Sequence, residues 1–409
     1  MQYPIVLDSP LRHVNQKHVL NLRVEPIPLV KVGIVGLGER GIRAVERLNC
    51  IEGASVIAIC DVSTEKVEKI GRQYHIKHLF DGNEGYRQMC KEVDLDLVYI
   101  CTDWQSHTPI TLEALYSGHH VAVEVPAALS LKDIWAIVDA AEKTQRHCMM
   151  LENCVYDFFE QSTLQMVRNG LFGEIIHVEG GYAHEIANKW PHWRLEINKQ
   201  LRGDIYPTHG MGPACQLLDI HRTDDLDYLV SMDSLSIRGK NTYQQYMGND
   251  ANDFQNGDQT TSIIRTRKGK TILLQHNVMT PRPYSRMYQI VGSRGFAEKY
   301  PQEQILLQQD EDIMNEGMHE PLSKDITSRL LREYEPEYIT QLRPAGAKLD
   351  PRGGMAYFMD NRLIYCLNHG LPLDMDVYDL AEWCAVIELS HISILHGSAP
   401  VKFPDFIRK

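Results

Sequence analysis

Phenols, imidazoles and indoles crowd three short stretches of this chain: Gly180-Gly181-Tyr182-Ala183-His184-Glu185, Trp190-Pro191-His192-Trp193-Arg194 and Gly203-Asp204-Ile205-Tyr206-Pro207-Thr208-His209-Gly210. Such side chains combine a flat apolar body with a polar edge, which suits a polyol with apolar ring faces. Tyr182 and His184 alternate along a strand-like run and so share a face. Tyr206 and His209 stand where a loop enters a helix, at a spacing that lets them converge. Each also has a plainer reading as a half-buried polar group at the end of an element. Trp190 and Trp193 read equally well as core. Around His209, however, Gly203, Gly210 and Gly212 permit close backbone approach, and this clustering favours chemistry.

Much earlier, the apolar run from Lys31 to Val35 flows into Gly36-Leu37-Gly38-Glu39-Arg40-Gly41 and then into a helical pattern from Ile42. In a Gly-x-Gly-x-x-Gly turn, Gly36 makes the bend, Gly38 lets the backbone reach a pyrophosphate, and Gly41 packs the helix on the strand. The helix N-terminus then faces the phosphates. The motif alone is weak. The next strand-like run, Ser55 to Cys60, ends in Asp61, and an acid about 20 residues after the last glycine is expected at the ribose 2′-hydroxyl. A carboxylate there repels a 2′-phosphate, so the cofactor is read as NAD and not NADP. Strand context, spacing and acid together argue against chance glycines in an ordinary strand-turn-helix.

Other chemistries lack their patterns. His184-Glu185 has no second histidine at zincin spacing. Gly292-Ser293-Arg294-Gly295 is not a nucleophile elbow and reads as a hairpin turn. Cysteines 50, 60, 90, 101, 148, 154, 215, 366 and 384 form no Cys-x-x-Cys pair and read as reduced packing residues, so no metal site is expected. No pair of acids stands out for glycoside hydrolysis by two carboxylates. The net charge of −12, with no basic stripe, argues against nucleic acid. No run of apolar residues is long enough to span a membrane, and residues 1–30 hold no signal-peptide core. The chain as given reads as cytoplasmic, or as periplasmic if a signal was removed.

These residues need elements to place them. From Lys31 to about Leu151, apolar runs at 31–37, 55–60, 95–101, 119–123 and 147–151 alternate with helical stretches, the pattern of a doubly wound parallel sheet. The rhythm changes after Tyr156. A helix at about 156–169 leads to a strand from Glu174 to Tyr182, an irregular aromatic-rich stretch to Gly203, and a short helix after His209. Strands follow near 228–238, 259–267, 270–278, 285–291 and 295–300; short Gly turns between them mean a mostly antiparallel sheet. Asn241 to Asp258 reads as a loop, and 301–352 shows only weak helical periodicity. Helices are expected near 354–369 and 376–396, the second capped by Asp376. The expected division is an N-terminal arm (1–30), an NAD-binding Rossmann domain (31–154) and a substrate-binding α/β domain with an open, mostly antiparallel sheet and C-terminal helices (155–409). A chain of this length has room for both cores.

At this level the chain resembles the Gfo/Idh/MocA oxidoreductase superfamily, whose members join these two kinds of domain. In that superfamily a strand usually ends in Glu-Lys-Pro with a catalytic lysine; here the text is Glu124-Val125-Pro126. That departure fits a narrower resemblance, to glycoside hydrolase family 109, the NAD-dependent α-N-acetylgalactosaminidases. The segments that carry it are Gly36 to Gly41, Val123 to Ala128, Gly203 to Pro213, Pro281-Arg282-Pro283-Tyr284-Ser285-Arg286 and Asp374 to Asp379. It extends from about Val24 to Phe406 and is thin over 301–352.

The resemblance implies a redox-elimination-addition cycle with tightly bound, recycled NAD. His209 would manage the C3 hydroxyl proton, and Tyr182 or Tyr206 the C2 proton. His184 and Tyr284 would hold the sugar, with Trp193 and Arg194 on a covering loop. Leu37, Glu39 and Arg40 with the three glycines, Asp61, Trp104, His107, Glu124, Asn153 and Tyr206 would line the cofactor crevice. A homo-oligomer is implied as well. Two other readings remain at this stage: a sugar or inositol dehydrogenase of the same superfamily, and a non-catalytic NAD-binding sugar sensor.

Overall fold

In the computed structural model, which describes residues 4–248, 250–308 and 320–408, the apolar run Val30–Val35 is the first strand, β1, of a six-stranded parallel sheet. The chain continues through α1 (Glu39–Leu48), β2 (Ala54–Asp61), α2 (Thr64–Tyr74), β3 (His78–Asp81), α3 (Gly85–Glu92), β4 (Leu97–Ile100), α4 (Trp104–Tyr116), β5 (His120–Val123), α5 (Leu131–Thr144) and β6 (Cys148–Met150). Strand order β3-β2-β1-β4-β5-β6 is that of a Rossmann sheet. Every residue of β4 and β5 is buried, and strands covered on both faces read as unbroken apolar runs. β3 is an edge strand whose residues are mostly exposed, so it carries no such signal and is absent from the sequence expectation.

This sheet belongs to a unit made of Ser9–Asn153, Arg343–Cys384 and residues 405–408. The linear division expected from the sequence is corrected here. A later helix, Met355–Asn368, supplies Asp360, whose buried carboxylate takes hydrogen bonds from Arg47 Nε of α1 at 2.7 Å and from the Tyr99 hydroxyl of β4 at 2.9 Å. Such a pair is costly to bury unless every partner is in place, which ties the helix to the Rossmann layer. The expected arm folds in for a similar reason: buried Glu142 of α5 accepts from Arg12 Nε at 3.1 Å and from the Tyr378 hydroxyl at 2.8 Å.

The second unit comprises residues 4–8, Cys154–Leu342 and Ala385–Pro404. Its elements begin with α6 (Phe158–Arg168), β7 (Ile175–Ala183), α7 (His192–Gln200), α8 (Thr208–Leu218), β8 (Leu226–Asp233) and α9 (Arg238–Met247). They continue with β9 (Thr260–Thr266), β10 (Thr271–Asn277), β11 (Gln289–Gly292), β12 (Gly295–Glu298), β13 (Gln304–Leu307) and α10 (Lys324–Glu333). The chain then forms α11 (Glu337–Leu349), α12 (the helix of Asp360), α13 (Val377–Leu395) and β14 (Val401–Lys402). Asp376 caps α13 by accepting the Tyr378 and Asp379 amides at 2.8 and 3.2 Å. The eight strands run in the order β13-β12-β11-β7-β10-β9-β8-β14, antiparallel except where β10 lies parallel to β7.

Two sequence expectations change. The polar stretch from Asn241 to Asp258 was expected as a loop, yet α9 runs into it; with only Gly239, Thr242 and Tyr243 buried, this helix has no apolar stripe to read. In 301–352 the structure forms β13, α10 and α11, while 309–319 lie outside the described residues. No helix among the described residues is long and apolar enough to cross a membrane.

Glycines bring α8 onto the sheet. A Cβ at Gly180 would lie 2.6 Å from the Gly210 carbonyl oxygen, and one at Gly210 would lie 2.5 Å from the Gly181 nitrogen. Backbone therefore meets backbone between β7 and α8, which sets His209 beside Tyr182.

Candidate active site

The glycine turn has the shape its spacing calls for. Gly36 has φ +94°, a conformation other residues resist, and a Cβ there would strike the Cys101 carbonyl oxygen at 2.6 Å. At Gly41 a Cβ would come within 1.8 Å of the Gly36 oxygen. At Gly38 it would meet nothing within 4 Å, and Gly38 caps α1 without a side-chain acceptor. The turn is thus closed on its sheet side and open above the first amides of α1, as a pyrophosphate requires. Asp61 is buried at the end of β2, where Oδ2 accepts the Leu37 amide at 2.6 Å and Oδ1 the Ser63 amide at 2.9 Å. A carboxylate has about four acceptor sites, so ribose hydroxyls can still be served. These residues fit NAD.

Glu39 and Arg40 open α1, and Arg40 Nε stands 4.0 Å from Glu124 Oε1 just past β5. Trp104 begins α4, which Asp103 caps. His107 is fully buried with Nδ1 2.8 Å from the Pro126 oxygen and Nε2 3.1 Å from the Thr102 oxygen. Burial holds this imidazole below its ordinary pKa against the pull of those carbonyls, and its place is that of a brace between two loops. Asn153 is buried in a short 3₁₀ turn after β6.

In the second unit five of the expected residues form one aromatic cluster centred on Tyr182. Its ring centroid lies 4.9 Å from His184, 5.1 Å from Tyr206, 4.7 Å from His209 and 6.4 Å from Tyr284. His184 and Tyr284 are 5.0 Å apart, and Tyr206 and His209 4.9 Å apart. Tyr284 reaches the group because Ser285 bridges to Ala183 through reciprocal backbone hydrogen bonds of 2.8 and 2.9 Å. Trp193 and Arg194, expected on a loop, belong instead to α7, whose weak amphipathic pattern hides it in sequence. The Arg194 guanidinium lies 5.5 Å from the rings of Trp190 and Trp193 and 5.7 Å from Tyr206.

Sequence reading missed the support behind Tyr284. Arg286 Nη1 donates to the Tyr284 hydroxyl at 3.0 Å, while its Nη2 pairs with Asp157 Oδ2 at 2.7 Å and with Glu160. Lys299 completes the group on Glu160 Oε2 at 2.8 Å, and the Tyr300 ring lies 5.9 Å from Tyr284. The only hint in sequence was the spacing of Tyr284 and Arg286. Burial works against the Asp157 charge, but Lys299 and Arg286 overcome it and hold the carboxyl well below the usual range. Tyr284 keeps 43% of its surface exposed, while desolvation around its hydroxyl pushes the phenol further up from a value already above neutral, so it stays a hydroxyl and is suited to holding a sugar rather than taking protons. Below Tyr206, the buried Asp204 accepts the Tyr206 amide at 3.1 Å, and desolvation raises its pKa to about 7.

Comparison with known proteins gives the family and the fold. Residues 30–152 match the oxidoreductase family with an NAD-binding Rossmann fold, and residues 187–409 match the glycosyl hydrolase 109 C-terminal domain. A glycosyl hydrolase family 109 protein of Porphyromonas gingivalis is 50% identical over 423 residues, covering 99% of this chain and 90% of that protein. Family 109 protein 1 of Bacteroides fragilis is 47% identical over 422 residues, covering 99% and 91%. Among solved structures, the aldose-aldose oxidoreductase of Caulobacter crescentus, complexed with glycerol, shares the fold with a TM-score of 0.67 at 19% identity, over 92% of this chain and 100% of that one. The fold and site define an enzyme built on an NAD-binding Rossmann domain. The chain belongs to glycosyl hydrolase family 109, and it is a glycoside hydrolase that uses NAD.

Proposed function

We propose that this enzyme hydrolyses α-N-acetylgalactosaminides by oxidation, elimination, addition and reduction. The observation that carries the reading is the Tyr182-centred cluster, whose five residues are phenols and imidazoles with no carboxylate among them, in a chain whose other unit is shaped for NAD. What NAD supplies when bound is reversible acceptance of the C3 hydride, which makes the C2 hydrogen acidic for the middle of the cycle.

His209 takes the C3 hydroxyl proton and later returns it. Tyr182 takes the C2 proton as the bond from C1 to the aglycone breaks; after water adds at C1, its phenol gives a proton back to C2. What supports Tyr182 for this step is its place at the centre of the cluster, edge-on to two imidazoles, His184 and His209, where Tyr206 has His209 and the Arg194 guanidinium. A free tyrosine with a pKa near 10 is a poor base at neutral pH, so this step calls for a positive charge beside the phenol, which His209 carries once it has taken the C3 hydroxyl proton. His184 and Tyr284 hold sugar hydroxyls, and Trp193 with Arg194 covers them. Gly36 to Gly41 and Asp61 hold the cofactor, with Arg40, Glu124, Trp104, His107 and Asn153 shaping its crevice.

A p-nitrophenyl α-N-acetylgalactosaminide in deuterated water tests this. Sugar should be released without NADH accumulating and with deuterium at C2. A dehydrogenase would instead accumulate NADH and oxidised sugar, and a sensor would turn nothing over.

A further inference from the structure

Beside Tyr182 runs a row of polar residues that the reaction above does not use. In the sheet register His276 of β10 lies opposite Tyr182 of β7, Thr260 of β9 opposite His276, and Asp233 of β8 opposite Thr260. Residues paired in this way turn their side chains to the same face. Four neighbouring strands therefore carry one row: Tyr182, His276, Thr260, Asp233.

The middle of the row is buried and unsatisfied. His276 is 3% exposed and Thr260 1%, and among the described residues neither His276 Nε2 nor Thr260 Oγ1 has a hydrogen-bond partner. Two such atoms on directly opposed residues are the kind of polar partners a buried water requires. One step along the same strands the next row is complete, with Ser231 and Ser262 hydroxyls 2.6 Å apart. At the far end Asp233 is held by Arg202, Nε at 2.6 Å and Nη2 at 2.9 Å, and the Arg202 side chain is 36% exposed. The row thus begins at the aromatic cluster and ends at Asp233, whose buried carboxylate is paired with the partly exposed Arg202. Burial pushes the His276 imidazole down to about 4, so at neutral pH it is an uncharged link with one donor and one acceptor nitrogen.

We infer that His276 and Thr260 hold the water through which the phenol of Tyr182 exchanges its proton with bulk solvent. The inference rests on the reading in which Tyr182 takes the C2 proton. When the Tyr182 phenolate accepts that proton it becomes a phenol. The row then passes this proton outward and a solvent proton inward, so charge is unchanged and no other group is altered. The phenol returns the solvent-derived proton to C2 and is a phenolate again. His276 and Thr260 are positioning residues in this scheme, acting through the water and not on the sugar.

The test is the deuterium content at C2 per molecule of sugar released in deuterated water, for the holoenzyme and for its Thr260→Val and His276→Phe variants. The ratio counts only molecules that turned over, so loss of folded protein does not move it. In the variants the trapped proton should return to C2 before exchanging, and the label should fall several-fold while hydrolysis continues. Thr260→Ser, which keeps the hydroxyl, should restore wild-type labelling. If the wild type labels C2 and both variants label it equally, the relay is wrong and the elimination reading stands. If the wild type itself releases unlabelled sugar, the relay fails; a C2-deuterated substrate then separates the causes, since a primary kinetic isotope effect keeps the elimination reading and its absence removes that reading together with the relay.

Discussion

The proposed cofactor cradle and the proposed sugar site are built by opposite means. Gly36 to Gly41 is one uninterrupted turn, and its properties are those of backbone: a positive φ at Gly36, contact with carbonyl oxygen at Gly36 and Gly41, open space at Gly38. The aromatic cluster draws on β7, the entrance to α8, and the segment around Tyr284, residues far apart in the chain, and its properties are those of side chains. The two carboxyls differ in the same sense. Asp61 is met by two backbone amides, whereas Asp204 is met by one and is otherwise desolvated. The local turn is defined by main-chain shape alone; the gathered cluster depends on individual functional groups as well as on the backbone contact that seats α8 on β7.

Exchange of side chains tests that contrast most strongly in the cluster. His209→Ala should lower kcat by about 10³-fold, in the range general acid-base groups contribute, while NAD stays bound. Cofactor retention after gel filtration and steady-state kinetics check it. Turnover within a few-fold of wild type would make His209 a packing residue.

Next in size is a pH effect confined to Asp204. Its folded pKa, about 7, lies above the unfolded value, so its contribution to stability is full below the unfolded pKa and is lost as pH rises through the folded one. Asp204→Asn keeps an acceptor for the Tyr206 amide and removes the titration. The variant should gain on wild type by on the order of 3 kcal/mol between pH 4 and pH 8. Urea unfolding at the two pH values measures this, and a difference independent of pH would show that Asp204 is not desolvated.

Two neighbouring glycines break the Rossmann turn in different ways. Gly41→Ala drives a methyl into the Gly36 carbonyl and should destabilise the protein without cofactor by roughly 2 kcal/mol or more. Gly38→Ala meets only open space, so the protein without cofactor should unfold as wild type does, yet bind NAD roughly tenfold more weakly, about 1.4 kcal/mol. Calorimetric titration with NAD separates the two, and unchanged affinity in Gly38→Ala would remove the pyrophosphate from that turn.

The smallest effect is expected at Tyr284. Its phenol is fixed by Arg286 and stays protonated at neutral pH, so Tyr284→Phe should raise KM by a factor that corresponds to about 1 kcal/mol and leave kcat nearly unchanged. A loss of kcat equal to the loss of kcat/KM would move Tyr284 from holding the sugar to taking part in the chemistry.

By itself the amino-acid sequence determined what depends on short-range order. The strand, glycine turn and acid of the Rossmann unit, the alternation that puts Tyr182 and His184 on one face, and the Asp376 cap are all set by residues close together in the chain. Resemblance of a few contiguous segments was enough to point to the family. Tertiary structure alone decided the rest. The edge strand β3 and the polar helices α7 and α9 have no apolar periodicity, because little of their surface is buried or their burial is irregular. Membership of Arg343–Cys384 in the Rossmann unit follows from Asp360 finding Arg47 and Tyr99 across more than half the chain. The Arg286 network behind Tyr284 and the row from Tyr182 to Asp233 likewise exist only through strand register and long-range ion pairs. Periodicity records which face of an element is buried; it does not record which distant element comes to cover it.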